Sequence, residues 1–179
     1  GCLVMARANY TCRLPAEFML VATANPCPCG WWGSEFRPCA CDSRAIDRYR
    51  QRISGPLLDR IDLHIRVPGQ TWSQLAEPRA GEPSEVVRER IERARGRQYR
   101  RSGTCNGELA DGELDRGLGE STGATALLGD AVDRLRLSAR AARRIQRVAR
   151  TIADLAGQDR VGEAAIAEAL GFREEQVSG

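Results

Sequence analysis

Two closely spaced cysteine pairs constrain the fold of this chain more than any other feature of its sequence. The pairs are Cys27-x-Cys29 and Cys39-x-Cys41, and nine residues separate them. Four thiolates can enclose a zinc ion in a closed tetrahedral site, which is structural because no position stays open for water. The spacing predicts a structural Zn²⁺ site, and the alternatives are four unmetallated thiols or an iron–sulfur cluster.

The basic residues set a second constraint, because all 27 of them are Arg and the chain contains no Lys. The phosphate-binding loop of nucleotide hydrolases, known as Walker A, needs a Lys that reaches the β- and γ-phosphates. No such loop can lie within these residues, so it is uncertain from the sequence whether this chain alone is an enzyme. Because the chain opens at Gly1 in a strand-like segment, we expect it to be a fragment of a longer protein.

Composition and charge exclude few functions. The formal net charge of +3 is too small to identify a nucleic-acid-binding protein. No apolar run approaches the roughly 20 residues of a membrane span, and no secretory signal opens the chain. We therefore expect a cytoplasmic protein without membrane contact. In that compartment, seven Cys indicate metal binding rather than disulfides. Cys2, Cys12 and Cys105 have no metal-site spacing, and we expect them to be buried as small apolar residues.

The order of patterns along the chain predicts an α/β part followed by an all-α part. Strand-like runs occupy residues 3–5, 11–14, 18–24 and 63–67, and the cysteine-rich loop interrupts them. The predicted domains are residues 1–68 and 84–173. A polar linker rich in Gly, Pro, Gln and Glu covers residues 69–83, and residues 174–179 form a tail.

The pattern of the second part predicts helices separated by glycine-rich segments. Helices are predicted over residues 84–101, 123–136, 138–157 and 162–170, with Ser84 and Ser138 as N-caps. Residues 102–123 are predicted to be a loop, since six Gly lie there. In the third helix, Arg140, Arg143, Arg147 and Arg150 share one face opposite an apolar stripe. For most of these Arg we expect a solvated surface.

Several motifs together resemble one family. They are A-R-A at 6–8, N-P-C-P-C-G at 25–30, S-G-P-L-L-D-R-I-D-L at 54–63, L-S-A-R at 137–140 and R-V-A-R-T-I-A-D-L at 147–155. In these motifs the chain resembles the C-terminal portion of the ComM/YifB family of magnesium-chelatase-like AAA+ ATPases. The resemblance implies the end of an AAA+ ATPase core with a cysteine-rich loop, followed by a helical lid domain.

The resemblance also implies roles for four residues. Asn25 matches sensor 1, an amide that orients the attacking water. Arg60 matches the arginine finger, which acts on the ATP of a neighbouring subunit. Arg140 matches sensor 2 on the bound nucleotide, and Arg147 could line the same cleft. From the residues alone, Asn25 could instead form a local turn and Arg60 a surface ion pair.

The family implies ATP and Mg²⁺ as cofactors and a ring of identical subunits, with six as the expected number. It also implies DNA as a partner, branched and bound without regard to sequence, during recombination and natural transformation. Arg7 matches the basic residue that related helicases carry on a pore hairpin, where it would contact phosphates. The arginine-rich helix at 84–101 is either a second DNA contact or a charged surface helix. The alternative functions are a chelatase-type motor that drives metal insertion into a porphyrin, and a non-enzymatic zinc module that binds nucleic acid.

Overall fold

The chain begins with an antiparallel hairpin and ends with five long helices. The computed structural model describes residues 2–8, 10–53, 55–76, 81–119 and 121–173. Three parts of the predictions lie outside these residues: Ser54, which opens the S-G-P motif, residues 77–80 of the linker, and the tail at 174–179. The chain divides into two units, Gly1–Arg50 and Gln51–Gly179. Among the described residues, no helix has both the length and the apolar character needed to cross a membrane.

The first unit contains strands β1 (Cys2–Arg7) and β2 (Tyr10–Pro15) and helix α1 (Ser43–Arg50). The strands pair in antiparallel register, with Cys2 opposite Pro15 and Arg7 opposite Tyr10. The predicted strand pair at 3–5 and 11–14 is therefore confirmed. Helix α1 begins after Asp42, whose Oδ1 accepts a hydrogen bond from the Ala45 amide at 2.6 Å, as a capping residue does.

Two predicted strands are wrong. Residues 18–24 and 63–67 have no regular secondary structure and pair with no strand in the described chain, and most of their apolar side chains are exposed. A strand is stable only when its backbone N–H and C=O groups pair with a neighbouring strand. The local apolar pattern favours a strand, yet pairing is a tertiary property.

The second unit begins with two short helices and continues with five longer ones. The short ones are α2 (Gly55–Leu58) and α3 (Trp72–Ala76), and α3 lies within the predicted linker. The longer ones are α4 (Ser84–Ser102), α5 (Asp111–Gly119), α6 (Thr122–Leu135), α7 (Ala139–Leu155) and α8 (Glu163–Gly171). A 3₁₀ turn at Asn106–Glu108 joins α4 to α5. The four predicted helices are confirmed as α4, α6, α7 and α8.

Helix ends follow local chemistry in most cases. Ser138 caps α7, because its side chain accepts a hydrogen bond from the Ala141 amide at 3.1 Å. Ser121 caps α6 in the same way through Ala124. The predicted cap at Ser84 is wrong, since Pro83 is the cap position and no side-chain bond closes that end. Gly157, with φ +74°, follows α7 and permits the left-handed turn there.

Helix α5 contradicts the predicted loop at 102–123. Each Gly in a helix costs about 1 kcal/mol relative to Ala, and this penalty suggested a loop. Tertiary contacts outweigh it: Leu114 is buried, and Asp115 forms an ion pair with Arg143 of α7. The residues before α5, 103–110, have the predicted irregular conformation apart from the 3₁₀ turn.

The hydrophobic core of the second unit lies between α6, α7 and α8. Its buried members are small or aliphatic: Ala124, Leu128, Ile145, Ala149, Ala153, Val161, Ala165, Ile166 and Ala169. Helix α7 also contacts α4 and α5. It is therefore the central helix of this unit, covered on more than one side.

The remaining cysteines do not behave as predicted. Cys2 is exposed, and Cys12 and Cys105 are only partly buried. The prediction that they are small buried apolar residues is wrong for all three. For Cys2 and Cys12 the reason is that the hairpin that carries them has no buried face.

Candidate functional site

The structure brings the four cysteines of the paired motifs together. Their Sγ atoms all lie within 4.8 Å of one another, and Cys27 is fully buried. The turn after Cys29 depends on Gly30, whose φ of +81° is unfavourable for residues with a side chain. Its amide donates to the Cys27 carbonyl at 3.0 Å. This tight turn directs the part of the loop that carries Cys27 and Cys29 toward the part that carries Cys39 and Cys41.

The distances within the cluster suit a tetrahedral metal ion. Cys27 Sγ lies 3.4 Å from Cys29 Sγ and 3.7 Å from Cys39 Sγ, and the Cys29–Cys39 distance is 3.5 Å. Zinc–sulfur bonds of about 2.3 Å in a regular tetrahedron place neighbouring sulfurs about 3.8 Å apart. The donor set and its spacing therefore fit a Cys₄ zinc site.

The thiols are surrounded by backbone donors that favour the thiolate form. Hydrogen bonds with the backbone of Trp31 and Ala40 lower the pKa of Cys29 to about 6. The Cys29 backbone acts in the same direction on Cys41, but burial and the neighbouring thiols raise the pKa of Cys41 to about 12. The Trp32 amide donates to Cys27 Sγ at 3.3 Å. Negative charge thus concentrates on part of the cluster, where a cation would stabilise it.

Two tryptophans flank the cysteine loop, and each carries an Arg over its ring. The Arg37 guanidinium lies 5.5 Å from the Trp31 ring centre, and that of Arg50 lies 4.1 Å from Trp32. Both distances are within the range of cation–π contacts. Each Trp is still more than one-third exposed, so these rings contribute to the surface around the cysteines.

Asn25 and Arg7 are both exposed in the first unit. Asn25 ends the irregular segment that precedes the cysteine loop. Arg7 is the last residue of β1, next to the hairpin turn. A hairpin that ends in an exposed guanidinium presents one positive charge at its tip.

Arg60 and Arg140 lie in the second unit, and both are exposed. Arg60 is exposed directly after α2, and its Nη1 donates to the Pro56 carbonyl at 2.6 Å. Arg140, in the first turn of α7, lies 4.0 Å from Asp59, and 61% of its side chain is exposed. Arg60 and Arg140 are thus both accessible, and Arg140 lies beside Asp59, the residue that precedes Arg60 in the sequence.

The arginine face of α7 is not the solvated surface that its spacing suggested. Arg143 bonds the Asp115 carboxylate of α5. Arg147 donates to the Leu109 carbonyl at 3.0 Å and to Asp111 at 3.2 Å. Arg150 is 4% exposed. The prediction fails because α4, the 3₁₀ turn and α5 cover this face, and helical periodicity does not reveal which elements pack there.

A buried polar network around Asp154 was missed by sequence reasoning. Arg101 donates to both carboxylate oxygens at 2.7 and 2.9 Å, Arg150 donates at 3.0 Å and the Asn106 side chain at 2.8 Å. Burial raises the pKa of the Asp154 carboxyl, but hydrogen bonds from Arg101 and Asn106 and the charge of Arg150 outweigh it and hold the pKa below its usual range. The four-residue spacing of Arg150 and Asp154 was the available signal.

A second missed group holds the segment after α2. Arg144 of α7 donates to the Arg60 carbonyl at 2.6 Å and bonds the Asp62 carboxylate. Arg173, which follows α8, is 3% exposed and donates to the Ile61 carbonyl at 3.1 Å. Nothing in the local sequence around Arg173 indicates that it is buried.

Family comparisons cover nearly the whole chain. Residues 1–75 match the family model described as magnesium chelatase, subunit ChlI, and residues 81–173 match magnesium chelatase, subunit ChlI C-terminal. The chain is 39% identical to competence protein ComM of Haemophilus influenzae, over 97% of this chain and 34% of that protein.

Other relatives give the same result. The chain is 36% identical to the Mycobacterium tuberculosis protein Rv2897c and 35% identical to Escherichia coli YifB, in each case over 97% of this chain. The matched region covers 35% and 34% of these relatives, so the chain spans about a third of their length. By these matches, the chain belongs to the ComM/YifB family of magnesium-chelatase-like proteins.

Proposed function

We propose that this chain is part of an AAA+ ATPase that assembles into a ring of six identical subunits and moves DNA. In this proposal the chain supplies Arg60 to the ATP of a neighbouring identical subunit. The observation that carries the proposal is the exposed Arg60 guanidinium on a turn whose backbone is anchored to the helical domain. Family membership supports it.

The chemistry proposed for Arg60 is electrostatic. A guanidinium stabilises the charge that develops on a transferred phosphoryl group, and such an arginine raises the rate about 10³- to 10⁵-fold in GTPases. In this structure the Arg60 guanidinium donates to the Pro56 carbonyl at 2.6 Å. A phosphate oxygen would replace this neutral acceptor and form the stronger, charge-assisted hydrogen bond.

Arg140 and Asn25 have supporting roles in the proposal. Arg140 lies in the first turn of α7, where the backbone also favours an anion, and it would contact the nucleotide phosphates. Arg147 would reach them only by leaving Asp111. Asn25 would hold the attacking water through its amide. ATP would be bound with Mg²⁺ by residues that this chain does not contain, since no Lys is present for a phosphate loop.

The DNA part of the proposal rests on the first unit and on the relatives. Arg7 at the hairpin tip, repeated once in each subunit of a ring, would contact phosphates without reading sequence. The name of the Haemophilus relative, a competence protein, favours a role in competence, and branched DNA as the substrate is carried over from the family resemblance.

A second candidate function has support from the matched families. Both family models are described by the magnesium chelatase subunit ChlI, which favours a motor that drives metal insertion into a porphyrin. The two candidates differ in their response to DNA, and ATP hydrolysis measured with and without branched DNA separates them.

The test is ATP hydrolysis by the full-length protein, with and without branched DNA, compared between wild type and Arg60→Ala. Hydrolysis that DNA stimulates and Arg60→Ala lowers at least about 10³-fold supports the proposal. Hydrolysis indifferent to DNA supports the chelatase-type motor. Hydrolysis unaffected by Arg60→Ala refutes the trans-acting role. Arg52→Ala, an exposed Arg a few residues earlier, is the matched control.

We further propose that the four cysteines hold Zn²⁺, which would brace the loop after Asn25 and take no part in hydrolysis. The purified chain is expected to contain about one zinc per molecule by elemental analysis. Cys39→Ser is expected to lose most of it, and Cys105→Ser, outside the cluster, is expected to retain it. Iron in place of zinc, or metal-free wild type, would contradict the assignment.

A further inference from the structure

The segment that carries Arg60 has little packing of its own. Helix α2 is four residues long and contains no buried residue. The Asp59 amide donates to the Gly55 carbonyl at 2.8 Å and the Arg60 amide to the Leu57 carbonyl at 2.9 Å. These bonds define a turn, but they do not set its position on the domain.

Two guanidiniums from the helical domain determine that position. Arg144 Nη1 donates to the Arg60 carbonyl at 2.6 Å, and the same side chain bonds the Asp62 carboxylate. Arg173 Nη2 donates to the Ile61 carbonyl at 3.1 Å, and its Nη1 lies 3.8 Å from Asp59. All four residues of the turn, 59–62, therefore contact one of these two arginines.

The burial of Arg173 is unusual for a purely stabilising contact, and Arg144 is partly buried beside it. Arg173 is 3% exposed, and its Nε and Nη1 have no hydrogen-bond partner among the described residues. Removing a guanidinium from water costs several kcal/mol, which imperfect pairing does not fully offset. An incompletely paired buried charge is a poor source of stability, so the contact of Arg173 with the 59–62 turn indicates a role in holding that turn.

The geometry points to Arg144 and Arg173 as positioning residues for Arg60: they hold the backbone of the 59–62 turn so that the Arg60 guanidinium projects from the domain at a fixed place. This inference rests on the proposed function of Arg60. It goes further in assigning two residues, on separate helical elements, that determine how well Arg60 acts. A displacement of about 1 Å at a reacting centre can lower the rate about 100-fold.

The test uses the full-length protein and separates kcat from KM. Arg144→Ala is expected to lower kcat about tenfold, with KM for ATP changed less than about twofold, because Arg144 orients Arg60 and does not bind ATP. In an Arg60→Ala background, Arg144→Ala is expected to cause no further loss. The matched control is Arg143→Ala, since Arg143 is the adjacent residue on α7 and bonds Asp115 of α5 instead.

A second readout reports on the turn itself. Amide hydrogen exchange at residues 60–64 is expected to accelerate in Arg144→Ala and to stay unchanged in Arg143→Ala. Asp62→Asn is a second variant that should fold normally, since Asp62 is exposed. This substitution removes the carboxylate that Arg144 bonds, and it should lower kcat as Arg144→Ala does.

The outcomes distinguish this inference from the proposed function. If Arg60→Ala abolishes hydrolysis while Arg144→Ala and Asp62→Asn keep wild-type kcat, the positioning role is wrong and the proposed function stands. If the Arg60→Ala and Arg144→Ala losses multiply, Arg144 acts through stability and the inference fails. If Arg60→Ala itself has no effect, both are overturned, because there is then no catalytic arginine to position.

Discussion

At the scale of single residues, charge burial distinguishes the arginines of this chain. Arg60 and Arg140 are exposed, whereas Arg150 and Arg173 are 4% and 3% exposed. All four share the same chemistry, and the chain uses Arg for every basic residue. Packing against α4, α5 and the segment after α2 decides which guanidiniums are buried and which stay exposed.

Asp154→Asn is expected to lower the free energy of unfolding of the helical unit by about 3 kcal/mol, because it leaves the guanidiniums of Arg101 and Arg150 without their buried anion. Urea unfolding followed by circular dichroism measures this change. Asp159→Asn is the control, since the Asp159 side chain is 96% exposed beside Arg97 and its loss should cost less than about 1 kcal/mol. Equal effects of the two substitutions would show that burial of Asp154 contributes nothing.

The same carboxyl predicts how stability depends on pH. The pKa of Asp154 is held below its unfolded value, and a hydrogen bond from Arg143 lowers the pKa of Asp115 as well. Groups of this kind stabilise the fold above their unfolded pKa of about 4, and this stabilisation is lost as pH falls through the folded pKa. Unfolding free energy should therefore decrease below about pH 4, and less steeply in Asp154→Asn than in wild type. A pH profile identical in the two proteins would contradict this assignment.

At the scale of elements, α7 connects the parts of the second unit. Its apolar face packs on α8 and shares the hydrophobic core with α6. Arg147 bonds Asp111 of α5 and the Leu109 carbonyl, and Arg144 bonds the segment after α2. The start of this helix is set locally, by the Ser138 cap. Its position therefore affects the core and the turn that carries Arg60.

Ser138→Ala is expected to lower the free energy of unfolding by about 1 kcal/mol, because the Ala141 amide loses its side-chain acceptor. Thermal or urea unfolding measures the loss. Ser84→Ala is the matched control at the start of α4, where no side-chain cap is formed, and it should leave stability nearly unchanged. A larger effect at Ser84 than at Ser138 would contradict these cap assignments.

At the scale of the whole molecule, the chain represents about a third of a family member. It contains the proposed trans-acting Arg60 but no phosphate-binding loop. Residues 18–24, whose apolar side chains are mostly exposed, also lack strand partners within the described chain.

Mixing two inactive full-length variants is expected to restore ATP hydrolysis. One variant carries Arg60→Ala and an intact phosphate loop, and the other carries Arg60 and a replaced phosphate-loop Lys. In mixed rings, Arg60 of the second variant would act on ATP held by the first. Steady-state hydrolysis as a function of the mixing ratio should show a maximum at intermediate ratios. A mixture that stays inactive, although the subunits assemble together, would argue for action within one subunit.

The sequence by itself determined the features that depend on neighbours along the chain. The cysteine spacing brought four thiols into one cluster, the β1–β2 hairpin formed as predicted, and Ser138 capped α7. Spacing, capping and helical periodicity act over a few residues, so they can be read without the fold.

Only the tertiary structure decided which charged groups are buried and which segments pair. Arg173 bonds a carbonyl 112 residues away, and Arg144 a carboxylate 82 residues away. Helix α5 forms despite its glycines, and residues 18–24 stay unpaired despite their apolar run. Such outcomes depend on contacts between distant segments. The free energy of these contacts outweighs the local conformational preference, and the contacts produce no periodic pattern in the sequence.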